Sequence, residues 1–247
     1  MDGSEEPDRT GWFFDWPPVG GRGSCSGFTL LEMAMVLLIL GLLLGGMLGP
    51  LSQRQEVNRR QEGEALLREV HDTLMGFVMT HGYFPCPDGD GDGREDRKDM
   101  GCDGSMVIAG DVFLGQLPHV TLGVGRMDPW NNRLRYAVDA AFVDGGTSPL
   151  PPFSGKDRGR IAVTNGIDQT PVVVVSHGGN GLGAVNAVNL LQGPATSLSE
   201  RENSDRDARF VLDEYREDPE HAFDDLLTWI SPNLLALRMT QVGKPLR

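Results

Sequence analysis

Between Phe28 and Leu51 the chain carries a single charged residue, Glu32, in an otherwise apolar run of 24 residues. As an α-helix that run extends roughly 36 Å, enough to cross a hydrocarbon core of about 30 Å. A helix that is apolar all round does not suit the surface of a globular domain, so a transmembrane segment over 28–51 is expected. The lone acid sharpens this. A carboxylate in a bilayer costs roughly 2.5–3.5 kcal/mol on insertion scales, so an intramembrane acid reads as functional by default. Gly41 and Gly45 form a small-xxx-small pair that permits close helix approach. Gly49-Pro50 is expected to loosen the helix, because proline removes a backbone donor and clashes with the preceding turn.

Beyond Pro50 the pattern turns amphipathic. Ala65, Leu66, Leu67, Val70, Leu74, Phe77 and Val78 recur at three- and four-residue spacing among charged residues, which predicts a helix packed on a globular domain and stopped at Gly82. Arg54, Arg59, Arg60 and Arg68 follow the apolar run, whereas only Arg9 and Arg22 precede it. Taken alone, this bias would put the following domain in the cytoplasm.

The wording at the start of the run is specific. Ser26-Gly27-Phe28-Thr29-Leu30-Leu31-Glu32 resembles the processing site of type IV pilins and type II secretion pseudopilins. The resemblance implies cleavage by prepilin peptidase between Gly27 and Phe28, methylation of the new amino terminus, and assembly guided by Glu32. It also implies a fold: α+β, with a long N-terminal helix, transmembrane and then amphipathic, packed on a small antiparallel sheet with long loops. The expected parts are a leader over 1–27, the helix over 28–81 and a head over 82–247. The implied location is the inner membrane with a periplasmic head, then the filament. The implied partners are other pilin or pseudopilin subunits, prepilin peptidase and the inner-membrane assembly platform. Tyr83-Phe84-Pro85-Cys86-Pro87-Asp88, Gly115-Gln116-Leu117-Pro118 and Asp128-Pro129-Trp130-Asn131-Asn132 leading to Tyr136 extend the likeness, with Asn131 where glycine is usual. A head of about 170 residues suits a minor component, and the retained Glu32 argues against the tip pseudopilin type that lacks it. The leader itself is unusual, being acidic and carrying Trp12, Phe13, Phe14 and Trp16 ahead of the apolar run.

Cysteine use constrains the compartment. Cys25 falls in the leader, which leaves Cys86 and Cys102 as a pair expected to form one disulfide in an oxidising environment. Two reduced thiols are the alternative. Between them lies the strongest chemical motif of the head. Asp88, Asp90, Asp92 and Gly93, with Asp99 in place of the final glutamate, fit the EF-hand loop pattern, and Asp96 falls where a ligand often acts through water. Alternating aspartates aim several carboxylates into one tight loop, and calcium favours such oxygen-rich shells. The competing reading is a solvated acidic turn stapled by the disulfide.

Strands are expected around Leu134–Val138, Arg160–Val163 and Val172–Val175, with Trp130 as a core anchor, loops over 149–152 and Thr196–Asp207, and a last helix opening at Ser231-Pro232 and stopped at Gly243. Glu200, Glu202, Asp205 and Asp207 could form a second acidic site, although an exposed loop is the simpler reading. The Gly-rich stretch after Val175 imitates a dinucleotide fingerprint, but the βαβ unit that mechanism needs is missing. Ser176-His177 is no triad, since neighbours in a strand point to opposite faces. His71, His81, His119 and His221 lack metal-ligand spacing, and no paired carboxylate stands out as catalytic, so no enzyme is expected. A net charge of −13 disfavours nucleic acid as a partner. The reading from another class is a membrane-anchored periplasmic domain with calcium-dependent binding or hydrolytic activity.

Overall fold

The computed structural model describes residues 27–99, 101–103, 107–108, 111–143, 158–218 and 221–243, with side-chain surroundings for all of them except 44–53 and 107–108. The leader and the expected loop over 149–152 therefore lie outside the described residues. The chain divides near Gly49-Pro50 into two units.

Helix α1 spans Leu30–His81, 52 residues, and its bounds include Gly49-Pro50 without a break. In the first unit the described helix is exposed and apolar on every side, from Leu30 at 91% to Leu43 at 57%. Among the described residues no helix is long and apolar enough to cross a membrane. The expected span over 28–51 includes 44–51, whose side chains lie outside that set.

The second unit is α+β. After α1 come β1 (Arg97–Lys98), β2 (Gly101–Cys102), β3 (Val107–Ile108), β4 (Val112–Gln116), a one-turn α2 (His119–Leu122), β5 (Arg135–Asp139) and a 3-10 turn at Ala140–Phe142. Then follow β6 (Ile161–Thr164), β7 (Ile167–Thr170), β8 (Val172–Ser176), α3 (Leu198–Ser204), β9 (Arg209–Val211), β10 (Leu226–Trp229) and α4 (Pro232–Gln241). The main sheet runs β10-β8-β5-β4-β3, all antiparallel. A second sheet, β7-β6-β9, contains one parallel pair, and β1-β2 is a separate ribbon.

The two faces of the main sheet feed two cores. Tyr136, Val138, Val172 and Val174 join Leu67, Val70, Leu74, Met75 and Val78 of α1 and Leu235 and Met239 of α4. The alternate residues Ala137, Val173 and Val175 join Ile161, Val163 and Phe210 of the second sheet. Period-two alternation thus serves both sides, which is why β8 is buried throughout. The helical stripe is as expected except at its start, where Ala65 is exposed and Gly63 is buried instead. A Cβ on Gly63 would meet Leu226 Cδ1 at 2.8 Å. α1 ends at His81 with Gly82 at φ +88°, and Gly243 follows α4 at φ +71°.

The expected loop over Thr196–Asp207 is corrected: its centre is α3. Ser197 caps that helix, its Oγ accepting from Glu200 N at 3.2 Å, so a polar composition conceals an ordinary helix start.

Candidate functional site

Three places in the structure carry chemistry. The first is the start of α1. Thr29 Oγ1 accepts from Glu32 N at 3.2 Å, while Glu32 Oε2 accepts from Thr29 N at 3.1 Å and from Thr29 Oγ1 at 3.2 Å. This is a reciprocal capping box, and it holds the Glu32 carboxylate at the helix end where it also suits the dipole. Phe28 is 78% exposed, and a Cβ on Gly27 would meet no described atom within 4 Å. Among the described residues nothing therefore demands glycine at 27.

The second is the loop between the cysteines. Cys86 and Cys102 are bonded, with Cα atoms 5.3 Å apart. Of the five aspartates expected to act together, Asp88, Asp90 and Asp96 each bring a carboxylate oxygen within 4.8 Å of the others. Asp92 and Asp99 do not join them among the described residues. Asp92 accepts from Arg94 N at 2.7 Å, and Asp99 sits on the β1-β2 turn at φ +56°. The three that converge are engaged with the protein. Asp88 is fully buried and accepts from Gly91 N at 2.6 Å and Gly93 N at 2.8 Å, with Arg133 Nη1 at 3.5 Å. Asp96 accepts from Gly89 N and Asp90 N, and Asp90 accepts from Asp92 N. Burial, with Asp90 alongside, raises the Asp88 pKa against the opposing pull of the Gly91 and Gly93 amides and Arg133. Gly93 takes φ +88° and leaves room for His119, whose Cε1 would lie 2.2 Å from a Cβ there.

Next to this loop the Asp128 turn is built as its sequence suggests. Asp128 Oδ1 accepts from Trp130 N and Asn132 N, its Oδ2 accepts from Ser176 Oγ at 2.7 Å, and Asn131 takes φ +64° in the place where glycine is usual. Trp130 packs against the core but stays half-exposed, and its Nε1 donates to Glu56 Oε1 at 3.1 Å.

The third place was only partly anticipated. Glu200 of α3 is fully buried, and with Asp224 and Asp225, just before β10, it brings three carboxylate oxygens within 4.8 Å of one another. Glu202, Asp205 and Asp207, grouped with Glu200 in the sequence, are not part of it among the described residues. Asn180 anchors two of the acids, its Nδ2 donating to Glu200 Oε1 and its backbone N to Asp224 Oδ2, both at 2.8 Å. Asp224 N donates to Glu200 Oε1 at 3.2 Å. Asn203 Nδ2 donates to Asp225 Oδ2 at 2.8 Å. His177 is buried with Nδ1 3.5 Å from Asp225 Oδ1. Burial, with Asp225 and Glu200 alongside, pushes the Asp224 pKa up to about 7, and burial raises that of Glu200.

The loop that imitates a dinucleotide fingerprint is thus the one that wraps this acidic centre. Gly178 has φ +55°, and a Cβ there would lie 2.5 Å from Asp224 Cγ. The sequence signals that could have found it are Ser197-x-x-Glu200 as a helix start and Asp224-Asp225 directly ahead of an apolar strand.

Comparison with known proteins adds one result. No curated protein and no solved structure matches the chain. Residues 22–48 match the family model described as the prokaryotic N-terminal methylation motif. That motif, opening on the Gly27-Phe28 junction and the Glu32 cap, supports a type IV pilin-like or pseudopilin-like protein.

Proposed function

We propose that the chain is a structural subunit, a minor one, of a type IV pilus or type II secretion pseudopilus. The observation that carries this is the methylation motif over residues 22–48. In this reading prepilin peptidase removes residues 1–27 and Phe28 becomes the methylated amino terminus. The apolar helix holds the subunit in the inner membrane, with the disulfide-bonded domain in the periplasm. An assembly platform then lifts the helix into a filament of like subunits. The exposed apolar surface of the first unit supports it, since such a surface needs lipid or other helices around it. So does Glu32. Its carboxylate caps its own helix while remaining exposed, free to meet the Phe28 amine of a neighbouring subunit; a buried acid is tolerable when paired and costly alone. The role is structural and not catalytic.

Co-expression with an active prepilin peptidase tests the reading. Intact mass should show loss of residues 1–27 and one methyl group on Phe28. Gly27→Ala should remain full-length, and Glu32→Ala should be processed yet absent from sheared filaments. Normal processing of the first variant, or normal assembly of the second, would sink the corresponding role. A chain that keeps its leader would favour the anchored calcium-dependent domain instead.

A further inference from the structure

The face of the main sheet that packs on the second sheet changes character toward one end. It is apolar at Val112, Ala137 and Val173. An even number of residues further along the same chain segments stand Gln116, Arg133, Arg135 and His177, with Gln116 paired to Arg135 across β4 and β5. These four, with Ser204 and Arg206 at the end of α3, line a cavity of about 200 Å³. Among the described residues no acidic side chain lines it, although the chain as a whole carries −13. The polar atoms around it are incompletely used. Arg133 is 3% exposed; its Nη2 donates to Gly91 O at 2.8 Å and its Nη1 lies 3.5 Å from Asp88 Oδ2, but its Nε has no partner among the described residues. Arg135 donates from both amino groups to the carbonyls of Ser204 and Asp205, and its Nε is likewise without a partner. Burial outweighs the pull of Asp205 and pushes the Arg135 pKa down to about 10. Both ring nitrogens of His177, 1% exposed, lack a hydrogen bond, with Nδ1 3.5 Å from Asp225 Oδ1 behind it. Gln116 Oε1 is a buried acceptor that no donor meets. Buried polar atoms are ordinarily hydrogen-bonded, so four such side chains around one cavity mark a ligand site.

We propose that this cavity binds a phosphate ion, held by Arg133, Arg135 and His177 and selected by Gln116. Guanidinium N–H groups are strong, charge-assisted donors to phosphate oxygens. His177 adds one N–H in either neutral tautomer. A planar carboxylate is best taken by two parallel N–H groups of one guanidinium. Each buried arginine here has a single nitrogen left, so an anion with a separate oxygen for every donor fits better. Gln116 Oε1 narrows the choice further, because it needs a donor. Phosphate near neutral pH still carries an O–H, and sulfate does not. Arg206 is exposed at the mouth, where its charge favours entry of an anion.

The test is calorimetric titration of the full chain in detergent with sodium phosphate, near neutral pH and at constant ionic strength. About one phosphate should bind per chain, and sodium sulfate should bind about tenfold more weakly. Gln116→Leu should lower phosphate affinity about tenfold and leave sulfate nearly unchanged, erasing the preference. Arg135→Lys, which keeps a cation but removes the Nε donor, should also cost about tenfold. Arg206→Ala should weaken both anions about threefold. Gln116→Leu and Arg206→Ala leave the amino-group bonds of Arg133 and Arg135 in place, so both should melt with the wild type in phosphate-free buffer. No phosphate uptake by the wild type would mean that only water fills the cavity, and would overturn the proposal. So would uptake that is unaltered in all three variants. Sulfate binding equal to phosphate, or glycerol phosphate binding more tightly than the free ion, would overturn the choice of anion. Leader processing is read separately, so failure here leaves the filament reading standing.

Discussion

Two acidic clusters in the same domain show opposite solutions to one problem. Asp88, Asp90 and Asp96 form a loop whose carboxylates are answered by the backbone amides of Gly89, Asp90, Gly91, Asp92 and Gly93, with Arg133 facing the buried member. Glu200, Asp224 and Asp225 lie against one another instead, held by Asn180, Asn203 and the Asp224 amide, with His177 Nδ1 3.5 Å from Asp225. The sequence spacing of the first matches a calcium loop closely; the second has no spacing at all, because its members come from α3 and the approach to β10. Proximity in sequence lets a loop fold its own amides onto its carboxylates. Residues gathered from distant segments are answered by groups that are equally distant in sequence: the Asn180 amide and side chain, the Asn203 side chain and the Asp224 amide.

The largest expected effect breaks the first cluster. Asp88→Ala leaves the Gly91 and Gly93 amides and the buried Arg133 without their partner, and stability should fall by about 3–5 kcal/mol. Asp88→Asn, which keeps an acceptor, should lose clearly less. Equal melting of the alanine variant and the wild type would mean that the loop does not depend on its own carboxylates. Reduction of Cys86–Cys102 comes next. Its partners are 16 residues apart, and opening the link should cost about 3 kcal/mol in the chain-entropy model. Equal melting of the reduced and oxidised protein would mean that the link adds nothing to the fold.

How much of this the sequence disclosed follows from the range of the interactions involved. The helical stripe from Leu66 to Val78, the strands around Tyr136 and Val173, and the stops at Gly82 and Gly243 were legible because periodicity and backbone preference are local. Asn131 at positive φ was equally legible, since asparagine tolerates what glycine does. The second sheet was not. Its parallel β6-β9 pair joins residues 47 apart, such as Val163 and Phe210, and no local pattern encodes such a pairing. The second acidic centre was hidden by the same distance, and by a polar stretch that reads as loop until Ser197 is recognised as a cap. At the amino terminus the sequence was the better guide. Among the described residues Gly27 has no steric reason to be glycine, so the argument for its role comes from the motif.

The smallest expected effect separates the clusters by sign of charge balance. Asp224 keeps its proton in the folded state up to about pH 7, whereas the unfolded chain releases it near 3.8. Between those values the folded state binds more protons, so stability must fall as pH rises and level off above the folded value. Tm should therefore drop by a few degrees between about pH 5 and about pH 7.5. Burial raises Asp88 and Glu200 in the same direction, so the overall slope is shared and the variants carry the information. Asp224→Asn should flatten the decline, because the group that titrates is gone and Glu200 loses a like-charged neighbour. Asp90→Asn should leave most of it, because Asp90 raises Asp88 by less than burial does. A decline that persists unchanged in Asp224→Asn would mean that the second centre is already neutralised in the folded chain. In that case the contrast between the two clusters disappears.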